Sequence, residues 1–258
     1  MRFRIFHRTR YRYPVPVGFG EQRLLLRPWT GPDAVLEHYT LTCEPAARMR
    51  WLRDCFENVI ALAAFEEGKW HELSISVAFV LRTEARNPFA FLLETDAMHW
   101  PPLYHEPEAE QLAPCRALYP DMDTASAWCR EALPEPPAET VAHLVALTRL
   151  LHDRLEYRAR EDEGIQTPAE TIAQGGGSCR DLSVLLIALL RAHGYAARFV
   201  SGYLYEGDKA APAHRHLRRA EGAMHAWCEV YLPGAGWRGL APTNGVLANE
   251  NFIPTAAA

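Results

Sequence analysis

The chain has 258 residues, of which 48% are hydrophobic and 23% are charged, as in a globular protein with a sizeable core. A formal net charge of -5 and a pI near 6.1 argue against nucleic acid as the main partner. No apolar run approaches the roughly 18 residues of a membrane helix and no signal-peptide core is present, so we expect a cytoplasmic protein without a membrane partner.

Alternation of polar and apolar residues dominates the first part of the chain. From Arg2 to Tyr13 arginines occupy one face and apolar residues the other, and Leu73 to Leu81 alternates most regularly. Further strands are predicted over Gln22 to Arg27, Leu36 to Cys43 and Val59 to Phe65. These short strands predict a small antiparallel β domain over residues 1–85. The basic face of the first strand is interpreted as solvated or edge-protecting, and an acidic partner is the alternative.

Residues 86–138 are rich in proline, which removes backbone donors and interrupts helices. We therefore expect an irregular connector with one short helix near Thr124 to Ala132. From residue 139 to residue 258 the pattern predicts a third segment of mixed helices and strands. Its predicted elements are a helix after Glu139, a short helix from Gln166 to Gln174, a strand from Ala196 to Leu204, a polar loop from Glu206 to Gly222, and strands starting at Met224 and Trp237 on either side of a turn.

The stretch from Gly175 to Tyr195 contains a candidate nucleophile. Three glycines allow a sharp turn, and Ser178 followed by Asp181 has the spacing of a capping box, so Cys179 is expected in the first turn of a buried helix. Free N–H groups and the helix dipole at that end favour a thiolate. A small core residue is the alternative for any such cysteine.

A candidate base begins the next strand. In the segment from His225 to Tyr231, alternation places His225, Trp227 and Glu229 on one face and Cys228 on the other. If the fold brings Cys179 and His225 together, they form a nucleophile and base. Taken alone, such a histidine is more often a structural residue than a base.

Four motifs together resemble the core of the bacterial transglutaminase-like proteins, which are often assigned as cysteine proteases. The motifs are Gly177–Asp181, Arg198–Tyr203, His225–Tyr231 and Gly236–Gly245. The resemblance extends from about Leu144 to Gly245. The β-rich first part is similar, more loosely, to the N-terminal domain that accompanies this core in bacteria.

The resemblance implies an α+β fold with a papain-like core, in which the cysteine helix packs on an antiparallel sheet. It implies thiol acyl transfer or amide hydrolysis through a thioester, without metal or cofactor, on a protein or peptide substrate that carries a carboxamide. Cys179 would be the nucleophile, and His225 would hold the thiolate as an ion pair and then protonate the leaving amine. The backbone N–H of Cys179 would donate to the oxyanion. The oligomeric state is not predicted.

Two departures from the family pattern favour a second hypothesis. Ala241 occupies the position of the aspartate that orients the histidine, and a methyl group accepts no hydrogen bond. We consider Thr243 or Asn244 as substitutes. The chain also ends soon after Pro254, where the family continues into another strand, and a missing strand would leave a sheet edge open. A catalytically inactive binding or scaffolding protein with the same fold is therefore the alternative function.

Other polar and aromatic residues are weaker candidates. Trp227 and Trp237 are possible cleft residues, with core packing as the alternative, and Arg218 and Arg219 would favour anionic substrate groups beside the cleft. The six cysteines form no CxxC pairs, so neither a zinc knuckle nor a disulfide scaffold is indicated. A metal site built on Cys179 would need further convergent ligands that the sequence does not supply.

Overall fold

A computed structural model describes residues 1–85, 87–120, 122–159, 163–205 and 224–258. The chain divides into two compact units. The first comprises Met1–Ala85, Gly202–Met224 and Glu250–Ala257, and the second comprises Arg86–Ser201, His225–Asn249 and Ala258. In the described ranges, no helix combines the length and the apolar character needed to cross a membrane.

The first unit is built from antiparallel strands. They are β1 (Arg2–Val17), β2 (Gln22–Leu24), β3 (Ala34–Glu44), β4 (Ala47–Arg53), β5 (Val59–Phe65) and β6 (Trp70–Thr83). One sheet has the order β1-β6-β3 and the other the order β2-β5-β4. Every predicted strand of this region is confirmed, and β4 is an additional strand that we did not predict. Alternate residues of β6, including Val77, Phe79 and Leu81, are buried because side chains on a strand point to opposite faces.

The second unit contains most of the helices. They are α1 (Glu108–Gln111), α2 (Ala113–Arg116), α3 (Asp123–Ala132), α4 (Thr140–Arg154), α5 (Pro168–Ala173) and α6 (Cys179–Ala192), with a 3-10 turn at Thr95–Ala97. Helix α3 confirms the helix predicted near Thr124, and α4, α5 and α6 confirm the others. The proline-rich segment holds further short helices because proline is tolerated in a first helical turn, as at Pro114 in α2.

The strands of the second unit form a sheet beneath α6. They are β7 (Glu156–Tyr157), β8 (Gly176–Gly177), β9 (Ala196–Leu204), β10 (Met224–Leu232), β11 (Gly236–Ala241) and β12 (Val246–Leu247), with the order β12-β11-β10-β9 and a separate parallel pair β7-β8. Leu185 and Leu189 of α6 are fully buried in one core with Cys228 and Val230 of β10. Cys228 is therefore a core residue.

The other face of this sheet is also covered. Leu112 and Cys115 pack with Ala196, Tyr231 and Trp237. The hydroxyl of Tyr104 accepts the N–H of Ala196 at 2.9 Å and donates to the carbonyl of Tyr231 at 3.0 Å. The segment between the first unit and α3 therefore contributes to the packing of the second unit.

The chain end corrects one sequence-based expectation. Residues Phe252–Ala257 form a strand, β13, which lies next to β9 in the sheet order. The N–H of Tyr205 donates to the carbonyl of Asn251 at 3.0 Å. Asn58 holds the strand end with two hydrogen bonds to the backbone of Ala257, at 2.7 and 2.8 Å. The prediction that a missing strand leaves this edge open is wrong.

Candidate active site

The turn before Cys179 is fixed by a buried carboxylate. Asp181 accepts the N–H of Ser178 at 2.8 Å and its hydroxyl at 2.7 Å, which completes the predicted capping box. Its second oxygen accepts the N–H of Gln166 at 2.8 Å, a contact that no motif in the sequence signals. Asp181 is fully buried, so these hydrogen bonds replace its hydration. The carboxylate is therefore a cap and is not available as a metal ligand.

Glycines in this turn allow a close approach of neighbouring chain segments. A Cβ on Gly176 would lie 2.1 Å from the carbonyl oxygen of Glu156 in β7. A Cβ on Gly177 would lie 2.7 Å from Oε1 of Gln166 and 2.8 Å from Cβ of Asp181. All three distances are shorter than non-bonded atoms tolerate. Any larger residue at these two positions would move the start of α6, and Cys179 with it.

Cys179 is half-buried at the first position of α6, with its sulfur at the start of β10. Burial raises the pKa of the thiol, and the N–H groups of Ala226, Arg180 and Cys179 itself, together with the charge of Arg180, oppose that rise only in part. The raised pKa favours the thiol, whereas the helix dipole alone predicts a thiolate. The resting group is accordingly a thiol that needs a base.

His225 occupies the second position of β10, immediately before the residue whose N–H reaches the Cys179 sulfur. Its ring stacks on Trp227 with 6.5 Å between the ring centroids. Trp227 is only 1% exposed, and a Cβ on Gly239 would lie 3.5 Å from its indole. Trp227 is therefore a core residue that supports the histidine. The fold brings the candidate nucleophile and the candidate base to the same end of α6 and β10.

Ala241 is fully buried at the end of β11, and its carbonyl accepts the N–H groups of Asn244 and Gly245 at 3.1 and 2.9 Å. Oγ1 of Thr243 and Oδ1 of Asn244 are buried, and neither makes a hydrogen bond within the part of the chain that the structure describes. Neither side chain therefore accepts the imidazole N–H of His225 in this arrangement. The backbone carbonyl of Thr243 accepts Nδ1–H of His152 at 3.0 Å, which links this turn to α4.

Trp237 lies away from the candidate nucleophile. It pairs with Tyr231 across β10 and β11, and the guanidinium carbon of Arg198 is 4.0 Å from its ring centroid. Tyr231 is six residues beyond His225, a separation of roughly 20 Å along a strand. The structure thus places Trp237 in the packing of the sheet. Arg218 and Arg219, the other two predicted cleft residues, lie outside the described residues.

A buried ion pair lies next to Trp237. Arg198 and Glu229 are 2.7 Å apart, and each side chain is 13% exposed. Burial raises the pKa of Glu229, and the charge and hydrogen bonds of Arg198 oppose that rise. Because Glu229 is engaged by Arg198, it is not a substitute for the carboxylate that Ala241 lacks. In the described ranges, no three His, Cys, Asp or Glu side chains converge as metal ligands would.

Two family models match the chain over most of its length. Residues 127–242 match the transglutaminase-like superfamily, and residues 3–82 match the bacterial transglutaminase-like N-terminal region. The chain therefore contains a transglutaminase-like core and a bacterial transglutaminase-like N-terminal region. Among its relatives, an uncharacterized protein of Mycobacterium leprae is 27% identical over 259 residues, covering 98% of this chain and 86% of the relative.

Further transglutaminase-like relatives have more specific names. A protein-glutamine gamma-glutamyltransferase of Pseudomonas aeruginosa is 30% identical over 123 residues, covering 44% of this chain and 17% of that protein. The crystal structure of a "putative cysteine protease" from Cytophaga hutchinsonii has a TM-score of 0.74 at 17% identity, covering 100% of this chain and 81% of the other. That similarity confirms the α+β fold, with a transglutaminase-like core after an antiparallel β domain.

Proposed function

We propose that the chain is a thiol acyl-transfer enzyme with Cys179 as nucleophile and His225 as base. The main support is the hydrogen bond from the Ala226 N–H to the Cys179 sulfur. Because Ala226 directly follows His225, this bond holds the thiol close to the proposed base. The cysteine also stands at the start of a buried helix whose turn is fixed by Asp181. These features are what a positioned nucleophile requires.

The proposed reaction has two steps. His225 removes the proton of the Cys179 thiol as the sulfur attacks a carboxamide carbonyl, and the same proton then passes to the departing amine or ammonia, leaving a thioester. Water or a second amine attacks the thioester, gives its proton to His225, and releases the sulfur as a thiol again. The backbone N–H of Cys179 at the helix start would donate to the oxyanion in both steps.

The proposed substrate is a protein or peptide that carries a carboxamide. The similarity to a protein named as a glutamine gamma-glutamyltransferase supports this class, and the raised pKa of Cys179 supports base-assisted attack rather than a standing ion pair. Because Ala241 supplies no carboxylate, the imidazolium formed during attack lacks the partner that would stabilise it. We therefore expect slow turnover.

The test is ammonia release from a glutamine-containing protein, with and without a primary amine as acceptor. The proposal expects release by the wild-type chain, and its loss in Cys179→Ala and in His225→Ala. The matched control is Cys55→Ala, because Cys55 is an exposed cysteine outside the site. Release that persists in Cys179→Ala would refute the assignment of the nucleophile.

A non-catalytic binding protein is the second candidate function. Buried Ala241 in place of a carboxylate favours it. This candidate predicts no ammonia release from any glutamine-containing protein and no acyl adduct on Cys179. The same assay therefore separates the two candidates.

A further inference from the structure

One face of the β1-β6-β3 sheet in the first unit is open and basic. On β1 it carries exposed side chains at alternate positions, Arg2, Arg4, Phe6, Arg8, Arg10 and Arg12. We call this set the arginine face. Opposite the four central positions, β6 carries the small residues Val80, Ala78, Ser76 and Ser74, whereas Arg82 and Glu72 lie opposite Arg2 and Arg12. Phe6 is 62% exposed, whereas Phe3 and Phe79 on the reverse side of the sheet lie in the core. The arginine side chains therefore extend into solvent beyond the smaller side chains at the centre of β6.

Neighbouring side chains hold several of these guanidinium groups through Nε. Arg2 donates to Glu37 at 2.7 Å, Arg8 to Oγ of Ser76 at 2.9 Å, and Arg12 to Glu72 at 3.0 Å. The two terminal nitrogens of a guanidinium can grip a carboxylate as a fork. Among the residues that the structure describes, Arg4 and Arg8 have no carboxylate at ion-pair distance. Both are available for an external anion.

The position of β1 at the sheet edge adds a second mode of contact. β6 pairs with one side of β1, and in the described ranges no strand pairs with the other side. An edge strand presents backbone N–H and C=O groups to an incoming chain. Alternate residues of a strand repeat every 6.6 Å or so, and a strand added to the edge would carry its side chains at the same spacing. Acidic side chains at alternate positions would then lie beside the arginines.

Charge favours a peptide over a nucleic acid at this face. The whole chain has a formal net charge of -5, which opposes the approach of a long polyanion. Glu37 and Glu72 lie among the arginines and would repel a continuous phosphate backbone. We propose that β1 binds an extended acidic polypeptide segment as an added strand, whose carboxylates at alternate positions meet Arg4 and Arg8. The peptide residues between these carboxylates would lie on the opposite face of the sheet, next to the half-buried Ile5 and Thr9. We therefore expect them to be apolar or β-branched.

The test measures fluorescence anisotropy of a labelled peptide of about ten residues, a typical strand length, with alternating Glu and Thr. We expect binding by the full chain that weakens with salt. Arg4→Glu and Arg8→Glu should each weaken it about fivefold, because one exposed ion pair is worth up to about fivefold and the reversed charge adds repulsion. Arg48→Glu is the matched control, because Arg48 is an exposed arginine on β4 of the other sheet, and it should leave binding unchanged.

Three further experiments test strand addition, the position of the site at the edge, and the class of ligand. A peptide of the same composition with all Glu in one block should bind more weakly, and equal binding would refute strand addition. Hydrogen exchange of β1 amides should slow when the alternating peptide binds, and an unchanged rate would refute the edge site. The third probe is a single-stranded oligonucleotide or phosphatidylserine vesicles. If either binds more tightly than the peptide, and if Arg8→Glu abolishes that binding, the ligand of this face is not a peptide and the proposal is wrong. These binding assays do not depend on catalysis.

Discussion

Acidification should destabilise the second unit through a buried histidine on α4. His143 is fully buried, its Nδ1 lies 3.1 Å from the hydroxyl of Tyr195, and its Nε2 lies 3.1 Å from Nδ1 of His193. Burial, with a smaller contribution from His193, lowers the pKa of His143 from 6.5 to about 4. Burial also lowers the pKa of His193. A proton on this pair has no carboxylate to stabilise it among the hydrogen-bond partners that the structure describes.

The sign and size of the effect follow from this shift. Between pH 6.5 and about 4 the unfolded chain binds a proton that the folded His143 does not, so stability falls as the pH falls through that window. The difference between the two pKa values corresponds to roughly 3 kcal/mol. That loss is large against the about 5–15 kcal/mol of a typical domain. His193 acts in the same direction.

Urea unfolding followed by tryptophan fluorescence at several pH values in that window measures this loss. His143→Gln should be less stable than wild type near neutral pH, because it loses packing, but it should lose less stability on acidification, by about 2 kcal/mol or more. His38→Gln, an exposed histidine in the first unit, should keep the wild-type slope. Equal slopes for wild type and His143→Gln would show that His143 does not cause the loss of stability.

Three further substitutions test the packing around the site. Gly177→Ala places a Cβ 2.8 Å from that of Asp181, so it should cost about 1–3 kcal/mol in unfolding free energy and slow ammonia release; unchanged stability would contradict the turn geometry. Glu229→Leu leaves Arg198 buried without its carboxylate and should cost about 3 kcal/mol in chemical unfolding, whereas a loss below roughly 1 kcal/mol would show that the pair is solvated. Ala241→Asp should raise ammonia release, and a gain of no more than about twofold would count against a role for this position beside the histidine.

The local sequence pattern predicts those elements whose structure depends only on residues close together in the chain. The alternation of β6 predicts its buried face, and Ser178 with Asp181 predicts the start of α6, because strand pleating and helix capping depend on residues a few positions apart. Strand β13 was missed because Pro254 and a run of alanines have low strand propensity. Asn58 holds the end of this strand through a hydrogen bond to Ala257, and the two residues are 199 positions apart in the sequence.

At the candidate site, the structure differs from the electrostatics that the sequence predicts. The motifs predicted that Cys179 and His225 lie close together, and the helix start predicted a thiolate. Burial, which depends on the whole fold, raises the pKa of Cys179 instead. The sequence predicts Trp237 as a cleft or a core residue, and only the structure shows that Tyr104 and Leu112 pack with it.

Mass spectrometry of the chain after incubation with a glutamine-containing peptide, quenched in acid to preserve thioesters, tests the proposed nucleophile directly. The proposed mechanism predicts an acyl adduct on Cys179 with the mass of the peptide less ammonia, absent in Cys179→Ala and strongly reduced in His225→Ala. No adduct on Cys179, or an equal adduct in His225→Ala, would contradict the proposed nucleophile and base.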